Sequence, residues 1–161
     1  MNLKLLVSSV ALLASACVAQ QRPVVFTTSA KVDTGVDSVS RALAADGQAP
    51  ALVDRNANIV QTEWKDTGFL YGQVQGVNAS IIRRYTVTLA PAAEGASVTV
   101  RMDLKRCQQG GYSVGATDIR GACEEITLVP ESMQKDLDAL GDKVRSALGM
   151  SPAPAAAPPK S

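Results

Sequence analysis

The chain contains no histidine, which removes the commonest general base, the commonest metal ligand and any Ser-His or Cys-His nucleophile pair. Charge of one sign is lacking too. The 16 Lys and Arg residues against 15 Asp and Glu leave a net charge of +1, which gives no electrostatic footprint for nucleic acid. There is one long apolar run, Leu5 to Leu13, well short of the roughly 20 residues needed to span a bilayer as a helix. Cys-x-x-Cys spacing is missing among the three cysteines, and Cys107 and Cys123 without histidine make a poor zinc site. The carboxylates do not cluster, and Asp118, Glu124 and Glu125 lack the spacing of a calcium loop. The expectation is a protein with no catalytic activity, no metal and no cofactor.

What is present starts at the N-terminus. Lys4 gives a positive start, Leu5 to Leu13 (LLVSSVALL) an apolar core, and Ala14-Ser15-Ala16 the small residues that precede cleavage, so residues 1–16 read as an export signal. Leu13-Ala14-Ser15-Ala16-Cys17 resembles a bacterial lipobox, with Ala14 where family members usually carry a large aliphatic residue. The resemblance implies diacylglycerol on Cys17, which becomes the first mature residue, and hence a membrane partner through an N-terminal lipid. Ala14-x-Ala16 also satisfies the rule for an ordinary signal peptide, which is the alternative. Val18 rather than aspartate follows the cysteine, which in lipoproteins of enteric type resembles routing to the outer membrane, facing the periplasm.

With Cys17 acylated, Cys107 and Cys123 are an even pair in an oxidising compartment, where a disulfide is expected. Closing a loop of that length stabilises by roughly 3 kcal/mol on the chain-entropy estimate. A trimmed or free Cys17 would weaken this parity argument.

Residues 17–22 read as a lipidated, flexible polar tether, 23–149 as a single domain, and 150–161 as a Pro/Ala-rich tail with too little apolar surface to fold. Val24 to Val32 is a strand with Val24, Phe26 and Thr28 inward. Asp33-Thr34-Gly35 caps a short helix carrying Val36, Val39 and Leu43, which stops at Gly47. Asp54 to Asn58 is a polar turn before the strand Ile59 to Lys65, with Val60, Thr62 and Trp64 on one side. Asp66 to Ser80 reads as an edge strand, a mobile flap or both. Ile81 to Lys105 is an antiparallel hairpin with a loop over Ala90 to Ser97, which sets Val87 opposite Val100, Tyr85 opposite Met102 and Arg84 opposite Asp103. Glu125 to Val129 is a short strand. The last helix carries an apolar stripe, Met133, Leu137, Leu140, Val144 and Leu148, opposite Lys135, Asp138, Asp142 and Arg145. The class expected is α+β in two layers, an antiparallel sheet with a short N-terminal and a long C-terminal helix packed on one face.

The segments Asp54 to Trp64 (DRNANIVQTEW) and Arg83 to Val87 (RRYTV) resemble the helix-grip domains of a lipoprotein subunit of the outer-membrane β-barrel assembly machinery. That family member has two such domains and this chain has one. The lipoprotein that helps insert lipopolysaccharide has a similar element order. The resemblance implies an envelope protein partner and an adaptor or assembly role. The rival is a small-ligand module for an apolar or lipid-like molecule, which requires an enclosed pocket between the hairpin and the last helix, reached by Arg83 or Tyr85. Phe69, Leu70 and Tyr71 are candidate interface residues, or else core residues of an edge strand. Arg83, Arg84, Arg101, Lys105 and Arg106 form either a basic patch for an acidic partner or a charged solvated face. The glycines Gly110, Gly111 and Gly115 lack the Gly-Lys-Ser/Thr ending of a phosphate loop, and Asn78-Ala79-Ser80 is a chance-level glycosylation pattern.

Overall fold

Two long strands, β6 (Val77–Ala92) and β7 (Gly95–Gln108), form the centre of the molecule because β-branched and large apolar residues alternate along both. The computed structural model describes residues 18–108, 112–114, 117–119 and 121–151. The leader, Cys17, Gly110, Gly111, Gly115 and the tail from 152 onward lie outside the described residues, as does the side chain of Asp118.

Around this hairpin lie β1 (Val18–Gln20), β2 (Val24–Thr28), α1 (Val32–Ala45), β3 (Pro50–Asp54), β4 (Ile59–Thr62) and β5 (Lys65–Val74). After it come β8 (Tyr112–Val114), β9 (Thr117–Ile119), β10 (Cys123–Glu125), β11 (Leu128–Pro130) and α2 (Glu131–Ala147). The main sheet has seven strands, all its pairs antiparallel, and two helices accompany it, so the class is α+β. On one side of β7 sit β2 and, further along, β10; on one side of β6 sit β4 and, further along, β5.

The hairpin register is the expected one: Val87 faces Val100, Tyr85 faces Met102 and Arg84 faces Asp103. The connection is tighter than the expected eight-residue loop, since pairing runs on to Ala92 and Gly95 and leaves only Ala93 and Glu94 to turn. Pro91 stays in the ladder near its end, which is why proline and small residues there read as loop. Odd positions of β6 and even positions of β7 meet the helices, and Ile81, Tyr85, Val87, Leu89, Val98, Val100, Met102 and Leu104 are buried. From above, Val36, Val39 and Leu43 of α1 and Met133, Leu137, Leu140, Val144 and Leu148 complete the core. Burying each such side chain contributes roughly 1.5–3 kcal/mol. Among the described residues no helix is long and apolar enough to cross a membrane.

Several expectations are corrected. Val18 to Arg22 is not a flexible tether. Val18 pairs with Pro130 and Gln20 with Leu128, the Gln21 side-chain amide donates to the Met102 carbonyl, and Arg22 exchanges two hydrogen bonds with the Gln134 amide at 3.1 and 3.0 Å. The physical cause is a gap along β7: β2 stops at Val100 and β10 starts at Lys105, so the carbonyls between them take Gln21 and the Ile126 N–H instead. Helix α1 starts at Val32, with Lys31 as a cap that makes no side-chain bond, so Asp33, Thr34 and Gly35 are its first turn rather than its cap. Asp33 gains from the helix dipole there without capping. Ala51 to Val53, just before the polar turn, belong to β3, whose Asp54 carboxylate accepts from the N–H groups of Asn56 and Ala57.

Trp64 does not share the inward face of Val60 and Thr62. The chain breaks between β4 and β5, and the indole lies against Arg84 and Lys105 on the face away from the helices. Arg145 is not on the solvated side of α2, because its guanidinium sits 4.2 Å from the centre of the Phe26 ring. Glu125 to Val129 is two short strands, β10 on β7 and β11 on β1. The edge strand expected over Asp66 to Ser80 is present as β5, joined to β6 in a hairpin closed by Gln75 and Gly76 with φ of 50° and 78°. Two left-handed residues make the tight turn that suits strand twist.

Candidate interaction surfaces

Arg83 and Tyr85 lie two apart on β6 and so point to the same, helix-covered side. Arg83 Nη1 is 2.5 Å from Asp136 Oδ2 on α2, and its guanidinium lies 5.4 Å from the Tyr85 ring centre. Beside them a cleft of about 150 Å³ is lined by Asp46, Gln48, Leu140 and Lys143, the last paired with Asp46. Burial pushes the Tyr85 hydroxyl above its ordinary pKa, partly offset by Arg83 and reinforced by Asp136 and Asp46. The charges here neutralise one another. Between the hairpin and α2 the space is filled, since Val87, Val100, Met102, Leu137, Leu140 and Val144 are all no more than 4 % exposed.

The edge hairpin presents a different chemistry. Leu70 pairs across to Ser80, on the face away from the helices, and is 60 % exposed; Phe69 is 44 % and Val77 43 % exposed. Tyr71 is half-buried against the core, 6.5 Å from the Phe69 ring and 5.9 Å from the Arg106 guanidinium. Phe69 and Tyr71 therefore come together, apart from Arg83 and Tyr85. β5 pairs with β6, and among the described residues no strand pairs with its other edge. Register slips between Asp66 and Leu70 and between Leu70 and Gln73 twist that edge.

The five basic residues are divided between the two faces. Arg84 and Arg101 both reach Asp103, at 2.9 and 3.6 Å, Arg106 pairs with Glu124, and Arg83 takes Asp136. These pairs favour the solvated-face account over a basic patch. Lys105 instead lies over Trp64, 5.1 Å from the ring centre, with Arg84 at 4.7 Å. From this indole a groove of about 350 Å³ runs past Asp103 to Gln20, Gln21 and Glu125 at the gap along β7. The sequence missed it because simple alternation put Trp64 on the same side as Val60 and Thr62.

Cys107 and Cys123 are bonded, directly opposite each other on β7 and β10, with Cα atoms 4.1 Å apart. Among the described residues no three acidic or cysteine side chains are grouped so as to hold a metal ion.

No family model matches this sequence, and no curated protein does. Among solved structures, a DUF4468 family protein from Bacteroides ovatus is similar at a TM-score of 0.43 and 10 % identity, over 85 % of this chain and 88 % of that one. At that level the likeness carries nothing about function to this chain.

Proposed function

We propose that this is a lipid-anchored protein of the cell envelope, without catalysis of its own, that works as an adaptor or assembly factor at the periplasmic side of the outer membrane. The anchor is Cys17, on the lipobox resemblance, and the missing histidine supports a non-enzymatic role. The observation that carries the adaptor reading is the β5 edge, on whose outer side no strand pairs among the described residues and which exposes Phe69 and Leu70. An extended segment of an envelope protein adds there as a further strand, with backbone bonds for affinity and the aromatic side chains for selectivity. The filled space under the hairpin speaks for the same reading, because an apolar ligand has no enclosed room there.

The test is a photo-crosslinking amino acid in place of Leu70, with one in place of Arg41, exposed on α1, as the control. Capture of one defined envelope protein from Leu70 and not from Arg41 supports the reading. Equal capture at both positions, or none from membranes holding the protein at natural abundance, refutes it.

A second reading rests on the Trp64 groove, whose volume falls in the range of small-ligand sites. Its charged and amide lining suits a polar ligand. Trp64 is the sole tryptophan, so its emission reports binding directly; envelope saccharides and nucleotides titrated without any spectral change would remove this reading.

A further inference from the structure

We infer that the lipid anchor clamps the domain to the bilayer by one corner, so that the β1–β11 ribbon faces lipid; this rests on the acylation of Cys17 proposed above. An extended tether over residues 18–22 would let the domain swing about 18 Å from its anchor. Val18 is instead already the pairing partner of Pro130, which leaves one peptide link, about 3.8 Å between Cα atoms, between the ribbon and Cys17. Beyond the ribbon the segment is held three more times, by Gln21 on Met102 and by the two Arg22–Gln134 bonds, so it is docked along its length.

The surface at this corner fits a lipid neighbour. Leu128 lies across from Gln20 and is 54 % exposed among the described residues, a large apolar side chain with more than half of its surface open. Leu128 is opposite Gln20, three residues along the ribbon from Cys17 or roughly 10 Å, so with Cys17 at the bilayer surface it reaches the headgroup and acyl boundary, where apolar surface is favoured. Charges beside the ribbon carry both signs, since Lys135 pairs with Glu131 at 2.9 Å and the Gln134 amide that holds Arg22 also donates to Asp138, so the contact does not need anionic lipid. The far end of the sheet is well away. Ile126 beside the ribbon bonds the Leu104 carbonyl at 3.3 Å, and from Leu104 to the turn at Glu94 the strand runs roughly 30 Å.

The experiment uses the full acylated chain in zwitterionic vesicles containing a brominated lipid, in a Trp64→Phe background. A single tryptophan is introduced by Leu128→Trp or, separately, by Glu94→Trp. The expected result is emission from the Leu128→Trp protein quenched severalfold more than from the Glu94→Trp protein. Insertion of a flexible Gly/Ser segment between Cys17 and Val18 should bring the two to the same low level. Equal quenching without the insertion, or a difference the insertion leaves intact, overturns the clamp. The mass of the mature N-terminus is read on the same samples: a missing acyl mass sinks the anchor reading, whereas an acylated protein that quenches equally at both positions sinks the clamp alone.

Discussion

Gly141 sits in the middle of α2, buried, where alanine would ordinarily favour the helix by about 1 kcal/mol. Its place is explained by β2. A methyl group there would lie 2.7 Å from Val24 Cγ1 and 3.1 Å from both Val24 Cβ and Cγ2. Carbon atoms in good contact are about 3.5–4.0 Å apart, and Val24 has little χ1 freedom to turn away. Overpacking of this kind costs about 1–3 kcal/mol, which exceeds the propensity gain. Gly141→Ala should therefore lose about 1 kcal/mol net, or some 3–6 °C in Tm for a domain of this size. Val24→Ala alone removes part of a half-buried side chain and loses about 1 kcal/mol. The double variant should lose less than the two losses added, with a favourable coupling of at least about 1 kcal/mol because the smaller side chain admits the new methyl. Urea melts of the four proteins give the cycle. If Gly141→Ala is stabilising by the full propensity term and the pair is additive, the close approach of α2 to β2 is refuted.

Replacing Cys107 and Cys123 together by alanine should lower the stability by about 3 kcal/mol, seen as a lower urea midpoint, while the wild type under reductant moves to the same value. Leu137→Ala, at a fully buried position of α2, should cost about 2–5 kcal/mol, whereas Asp136→Asn, which removes a half-exposed ion-pair partner, should cost no more than about 1 kcal/mol. Tyr85 predicts an alkaline effect. Its folded pKa lies above the ordinary value, so the stability it contributes is fully present below pH 10.0 and is lost as pH rises through the folded pKa. Melts from pH 8 upward should thus show a steeper loss for the wild type than for Tyr85→Phe, and parallel curves would contradict the burial of that hydroxyl.

Where periodicity is strict, the sequence was easily read. The alternation in the hairpin placed Val87 on Val100 and Arg84 on Asp103, and the steps of three and four from Met133 to Leu148 marked the buried stripe of α2. The failures lie where the physics is not periodic. Gln75-Gly76 makes a left-handed turn that usually carries Asn or Asp first, so the stretch read as an edge strand, a mobile flap or both, without its turn. Trp64 follows a break between strands, and one lost step of alternation moves a side chain to the other face. Arg145 looks like a solvated cation on a helical wheel, yet a ring from another strand lies beneath it. The docking of Val18 to Arg22 was illegible for a further reason: it depends on an unfilled stretch along β7, which only the assembled sheet defines. The same applies to the Trp64 groove, while Phe69 and Leu70 stood out as candidates from their glycine-flanked setting.

The central claim is that a lipid on Cys17 holds this domain at a membrane. Intact mass spectrometry of the protein extracted from its envelope tests it most directly. The account predicts a chain beginning at Cys17 and heavier than its polypeptide by the diacylglycerol group. A chain that begins elsewhere, or begins at Cys17 with the polypeptide mass alone, contradicts it.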